Sequence, residues 1–166
     1  IVVCEAPGHQ VNPALALNSS DNIFILWQDA RAGDSDIYGR KLTSSGAPAG
    51  SEFSVCNAAD DQCRPAVCAA SSGKMLAAWD DFRTSKHYAV RTQMLNPDGT
   101  PDGSENIISS FPTDQTAPAV CTATNGFALA YQNSSNLTGA DIEGALLDTA
   151  GAFASSFPVC NAAYNQ

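Results

Sequence analysis

A register of glutamines divides this chain. Gln10, Gln62, Gln115 and Gln166 recur at separations of 52, 53 and 51 residues. A period of this length marks a solenoid, propeller or array, in which one supersecondary unit is stacked on the next. Three residues after each of the first three glutamines stands a proline: Pro13, Pro65 and Pro118. A short run of small apolar residues follows, from Ala14, Ala66 and Ala119. A second run ends in an aromatic residue, Trp27, Trp79 or Tyr131, and a polar turn comes after each. Third runs occupy 36–42, 88–94 and 141–147. After a Gly/Pro-bearing loop, fourth runs occupy 53–56, 106–109 and 157–160.

No segment sustains a 3.6-residue period, so the runs read as strands bounded by turn residues. Four short antiparallel strands in about 50 residues is the size of one propeller blade. The expectation is therefore an all-β single domain: a terminal strand, 1–10, then three four-stranded blade repeats, 11–62, 63–115 and 116–166. Three blades fall short of the roughly four needed to close a propeller, so the propeller is expected to be open or incomplete. The strand nearest its axis is built of small residues, as a crowded axis requires.

The string Trp27-Gln-Asp29-Ala-Arg31-Ala-Gly33-Asp-Ser-Asp36-Ile37-Tyr38 and the string from Val55 to Pro65 resemble a repeat of large extracellular bacterial-type β-propellers. That repeat reads roughly W-x-D-x-R-x-G-x-x-D-I-Y and then V-C-x-A-A-x-D-Q-x-x-P. The second repeat keeps Trp79, Asp81 and Arg83 but loses Asp-Ile-Tyr, and the third carries Tyr131, Asn133 and Ser135 instead. The three-blade unit, a duplicated end strand and the sequons also resemble the fibre-forming units of ciliate proteins with bacterial intein-like domains.

The Trp-x-Asp-x-Arg sets allow two readings. Asp29 and Arg31 could form a ligand site. Alternatively, Trp27 and Trp79 wedge between blades while Asp29–Arg31 and Asp81–Arg83 pair to pin the turn. The second is favoured, because charges removed from water are normally paired. No catalytic constellation stands out. His9 and His87 are in non-equivalent places, and G-x-S-x-G, HExxH and phosphate-loop motifs are absent. A glycosidase would need paired carboxylates, so no enzyme is expected.

Six cysteines, Cys4, Cys56, Cys63, Cys68, Cys121 and Cys160, all but Cys63 placed in step with the repeat, suggest disulfides and an oxidising compartment. Three sequons, at Asn18, Asn133 and Asn136, point the same way. A chain beginning at Ile1 fits a secreted protein whose leader has been removed. The formal charge is −9, which repels phosphate backbones and anionic membranes and so argues against nucleic-acid partners. No apolar run approaches the length of a membrane span. Divalent cations suit the charge, and two oxygen-rich loops could hold calcium: Asp34 with Asp36, and Asn96, Asp98 and Asp102.

The ends carry the functional expectation. Ile1-Val2-Val3-Cys4 duplicates the fourth run, Phe157-Pro158-Val159-Cys160, so one terminal strand is surplus. An open sheet edge is a template for pairing. The sequence thus reads as a non-enzymatic extracellular module. It would assemble with itself head-to-tail into fibres or oligomers by strand exchange, through Ile1, Val2, Val3, Cys4, Phe157, Val159 and Cys160. The competing reading is a sugar- or protein-binding propeller, with a glycan as ligand, completed by dimerisation.

Overall fold

The computed structural model describes residues 1–70, 72–83, 87–109, 112–135 and 139–160. Every regular element among them is a β-strand. The first sheet holds β1 (Gln10–Leu17), β2 (Ile23–Asp29), β3 (Asp36–Leu42) and β4 (Phe53–Cys56). The second holds β5 (Gln62–Ala69), β6 (Met75–Asp81), β7 (Ala89–Leu95) and β8 (Pro101–Ile107). The third holds β9 (Gln115–Ala123), β10 (Gly126–Ser135), β11 (Gly139–Leu147) and β12 (Phe153–Cys160). Each sheet is an antiparallel meander in sequence order, so all three are blades of an incomplete propeller.

Turn chemistry fixes the meander locally. In the β1–β2 turn, Asn18 Oδ1 accepts the amides of Ser20 and Asn22 at 3.0 and 3.1 Å. In the β11–β12 turn, Asp148 Oδ1 accepts those of Ala150 and Ala152 at 2.9 and 3.0 Å. Asn and Asp side chains favour such turns for this reason. Each prolyl position repeats one distortion. Asn12, Arg64 and Ala117, each preceding its proline, have φ of 53°, 48° and 54°. The ladder slips at the same points, between Val11 and Ala14 and between Cys63 and Ala66, and near Thr116 on β9. A β-bulge with a left-handed residue bends each inner strand.

The side-chain alternation of the middle strands builds two cores. Phe24 and Leu26 of β2 cluster with Met75, Ala77 and Trp79 of β6. On the other face of β6, Leu76 and Ala78 cluster with Phe127, Leu129 and Tyr131 of β10. The second blade is thus buried on both faces, and every residue of β6 and β7 is buried.

Two expectations about strands change. The fourth strand of the second blade runs from Pro101, not from residue 106. The Asp98-Gly99 turn reverses the chain at once, pairing Leu95 with Pro101 and Met94 with Asp102. Residues 1–9 form no strand. They cross the outer part of the first blade, where Arg40 Nη1 donates to the Val3 carbonyl at 2.7 Å. The surplus strand is therefore absent, and 157–160 is not spare either, since it belongs to β12 and pairs with β11.

Candidate functional site

The Trp-x-Asp-x-Arg residues come together at the end of β2 and again at the end of β6. Trp27 Nε1 donates to Asp29 Oδ2 at 2.7 Å, and Arg31 Nε donates to Asp29 Oδ1 at 2.9 Å. Arg31 also pairs with Glu52 at 2.8 Å and lies 4.0 Å over the Tyr38 ring. Burial alone would raise the Asp29 carboxyl, but the Arg31 and Trp27 hydrogen bonds outweigh it and hold its pKa at about 2. The second blade repeats the set. Trp79 Nε1 donates to Asp81 Oδ2 at 3.1 Å, Arg83 pairs with Asp81 at 2.5 Å and Arg83 Nη1 with Glu105 at 2.9 Å. Asp29 and Asp81 are fully buried and satisfied on both oxygens. These groups pin turns and leave no acceptor for a ligand.

The third blade replaces this set with uncharged donors around one acid. Tyr131 OH donates to Glu143 Oε2 and Asn133 Nδ2 to Glu143 Oε1, both at 2.8 Å. Burial, then Glu143, push the Tyr131 hydroxyl pKa up. Sequence reasoning missed Glu143. Its signal was available in the pairing: it lies opposite Tyr131 as Arg91 lies opposite Trp79.

The expected disulfides are not formed. All six cysteines are free thiols. Cys56 lies 2.8 Å from Arg83 Nη2 and Cys4 3.4 Å from Arg31 Nη2, so repeat-matched cysteines cap repeat-matched arginines. Burial pushes the Cys56 thiol up to about 12 and Cys68 up to about 11, which keeps both protonated and unreactive. Cys63 is buried as well, Cys160 is half-buried and Cys121 is exposed.

The sequons fare similarly. Asn18 is 6 % exposed, with its side chain committed to a turn. Asn133 is 9 % exposed and its amide is bound to Glu143. Neither presents the free surface amide that a glycan needs. Asn136 lies outside the described residues. The calcium loops do not converge either: among the described residues no group of three or more His, Cys, Asp or Glu could hold a metal ion. Asp98 Oδ1 accepts from Thr100 within its own turn, Asp102 pairs with Lys74 at 2.6 Å, and Asp36 is buried behind Asp29 while Asp34 is exposed.

What sequence reasoning did not find is a cleft between the second and third blades, at the ends of β5 and β9. Its volume is ≈ 440 Å³, inside the roughly 300–1,000 Å³ range of ligand sites. Ser72, Thr122, Thr124, Thr149 and Phe127 line it with the Lys74–Asp102 ion pair, and the Thr122 hydroxyl donates to the Ala69 carbonyl. Lys74 and Asp102 are each more than a third exposed. The lining residues come from the ends of β8, β9 and β10 and from the turns beside them, and they differ in type from blade to blade, so periodicity could not reveal the cleft.

A separate buried acid lies where the same two blades meet on their inner strands. Asp80 is fully buried, its Oδ2 accepts a hydrogen bond from Arg64 Nε, and its Oδ1 has no hydrogen-bond partner. Burial raises its pKa to about 7, against the pull of Arg64 and the Ala117 amide.

No protein-family model matches the sequence, and no curated protein is similar to it. Solved structures share its fold. An α-L-arabinofuranosidase from Clostridium thermocellum superposes with a TM-score of 0.62 at 12 % identity, over 92 % of this chain and 55 % of that one. A GH43 endo-arabinanase from Bacillus licheniformis gives 0.55 at 14 %, over 90 % and 59 %. A protein of unknown function from Dyadobacter fermentans gives 0.67 at 12 %, over 95 % and 53 %. The chain spans about half the length of these structures. Identities this low establish the propeller fold alone.

The expectation of a non-enzymatic fibre module does not stand. The fold is shared with glycoside-hydrolase propellers, and the terminal strand on which strand exchange depended is not formed.

Proposed function

We propose that this chain is the sugar-binding part of a carbohydrate-active propeller, and that the cleft between the second and third blades takes a neutral oligosaccharide. The observation that carries this reading is the cleft lining. The hydroxyl side chains of Ser72, Thr124 and Thr149, that of Thr122, which donates to the Ala69 carbonyl, and one half-exposed ion pair line the cleft together with apolar residues. Sugars present hydroxyl groups in both donor and acceptor roles. Ser and Thr can answer either role, Lys74 can only donate and ionised Asp102 can only accept. The formal charge of −9 disfavours polyuronates and sulfated glycans by long-range repulsion.

The named folds that resemble this one act on arabinose-containing chains, so arabino-oligosaccharides are the first probe. Hydrolysis requires two carboxyl groups flanking the scissile bond, about 5 to 9.5 Å apart. Among the described residues the cleft holds one, Asp102, and it is paired with Lys74. The lining therefore supports binding more directly than cleavage.

The test is calorimetric titration with arabino-oligosaccharides and xyloglucan oligosaccharides, with polygalacturonate as the charged control. A neutral oligosaccharide should bind, and Lys74→Ala and Asp102→Asn should each weaken binding roughly tenfold, about 1.4 kcal/mol. Both side chains are surface groups, so the fold is retained. Tighter binding of polygalacturonate, or binding unaffected by both substitutions, would overturn the assignment. Release of reducing sugar during the titration would instead locate catalysis in this chain.

A further inference from the structure

The two ends of the three-blade stack are chemically unlike ordinary surface. On the first blade, Leu15 and Leu17 are 68 % and 56 % exposed, and Val11, Leu15, Ile25 and Trp27 line a hollow of ≈ 350 Å³. On the third blade, Ala128, Ala130, Phe157 and Val159 line one of ≈ 330 Å³, and Phe157 and Val159 are about half exposed. Apolar surface of this kind, gathered in two patches, marks a contact face.

The chain itself shows what fits such faces. The forward face of the first blade packs on the rear face of the second, and the forward face of the second on the rear of the third. The exposed faces are the next members of the same two series. Ala128 and Ala130 stand where Phe24 and Leu26 stand in the first blade and where Leu76 and Ala78 stand in the second. Leu15, Ile25 and Trp27 stand where Val67, Ala77 and Trp79 stand in the second blade, and Val120, Leu129 and Tyr131 in the third.

Size decides between occupants. In the first buried interface, large Leu26 shares a core with small Ala77. In the second, small Ala78 shares one with large Leu129. Close packing demands this compensation. The exposed faces continue it: small Ala130 on the third blade, large Ile25 on the first. A second copy of this chain supplies both.

We propose that two copies close a six-bladed ring, the third blade of each packing face to face on the first blade of the other. Two identical contacts then leave no end face open. The contact buries sheet faces and exchanges no strand.

The segment 1–9 must move for this to happen. Cys4 meets Arg31 as Cys56 of the preceding blade meets Arg83. Residues 1–4 thus hold the place of a preceding blade's last strand, the place that Cys160 of the second copy would take in the ring. Val3 and Cys4 also line the exposed hollow. This segment acts as a strap over the first blade.

Sedimentation velocity of the full chain from about 1 to 100 μM should show a monomer–dimer equilibrium that stops at two. Leu15→Asp and Ala130→Arg each alter a side chain at an exposed face, and each should abolish the dimer with an unchanged far-UV spectrum. Mixing the two variants should restore association, since one contact is then native and the other pairs Asp with Arg. Removing residues 1–8 should increase the dimer fraction. A chain that stays monomeric with and without the strap overturns the proposal, as does a mass ladder beyond two. Dimers unaffected by both face substitutions also overturn it.

Discussion

Arg83 Nη2 lies 2.8 Å from the sulfur of Cys56, and 52 residues earlier Arg31 Nη2 lies 3.4 Å from the sulfur of Cys4. In each case the arginine also binds the aspartate two residues before it and a glutamate, Glu105 or Glu52. The cysteine at the end of one blade thereby meets the charged cluster of the next. Its position in step with the repeat reflects this contact.

The thiols should behave accordingly. Denatured, unreduced protein should titrate six thiols with Ellman's reagent. In the native state Cys121, the exposed one, should react first. Cys56, held near 12 by burial, should react only on unfolding. Adding reductant should leave the melting temperature unchanged. A fall in melting temperature with reductant would show bridges that the structure lacks.

The two tryptophans should differ in weight. Trp79 is fully buried between the first and second blades, so Trp79→Ala should cost on the order of 3 to 5 kcal/mol in chemical denaturation. Trp27 is also buried, at 4 % exposure, but no blade lies beyond it and the hollow lined by Val3 and Cys4 stands there. Its truncation should cost less, roughly 1 to 3 kcal/mol, because the N-terminal segment can settle into the space. Equal costs would mean that Trp27 is held as firmly as an inter-blade residue.

Gly126 opens β10 with φ of +143°, and a Cβ there would stand 2.1 Å from the Leu147 carbonyl oxygen. Backbone cannot yield to that contact as a flexible side chain could. Gly126→Ala should therefore separate the β10 and β11 ladders at this end and lower stability by on the order of 3 kcal/mol. Gly103→Ala is the control, since a Cβ there meets nothing within 4 Å although its φ is +77°. It should cost only the left-handed strain, about 1 kcal/mol.

The fold was legible in the sequence because a repeat states its topology several times. The β3 and β4 limits follow directly from the first repeat, whose turns are tight and polar. The fourth strand of the second repeat was misplaced because Ile107-Ile108 looks like a strand, while the register is set earlier by the Asp98-Gly99 turn. The end segment misled for a related reason. Ile1-Val2-Val3-Cys4 has the composition of a strand but makes no ladder, and a strand exists only through its neighbour. The unpaired cysteines and the burial of Asn18 and Asn133 were not legible, because composition reports a residue's type and not its burial. Asn18 and Asn133 have sequon chemistry, but Asn18 is buried with its Oδ1 accepting two turn amides, and Asn133 Nδ2 donates to Glu143. The cleft between the second and third blades was invisible, since its polar lining, Ser72, Lys74, Asp102 and Thr124 among it, belongs to positions whose residue types the repeat does not hold constant.

Stability should depend on pH in opposite senses at two carboxyl groups. Asp29 is held at about 2, below its ordinary value of 3.8. It contributes stability above pH 4 that is lost as the pH falls through 2. Asp80 is the reverse. Its pKa rises from 3.8 to about 7 because the carboxyl is fully buried and the Arg64 pair does not repay its desolvation. Between about pH 4 and pH 7 the folded chain keeps this proton while the unfolded chain releases it. Stability therefore falls as the pH rises through that window, by up to on the order of 4 kcal/mol, and levels off above it. Asp80→Asn keeps the shape of the protonated acid and removes the titration. Arg64, 44 % exposed, remains hydrated without its partner. The variant should lose the decline between pH 5 and 7 in urea denaturation and be more stable than the parent at pH 8. A decline that persists unchanged in Asp80→Asn would place the titrating group elsewhere.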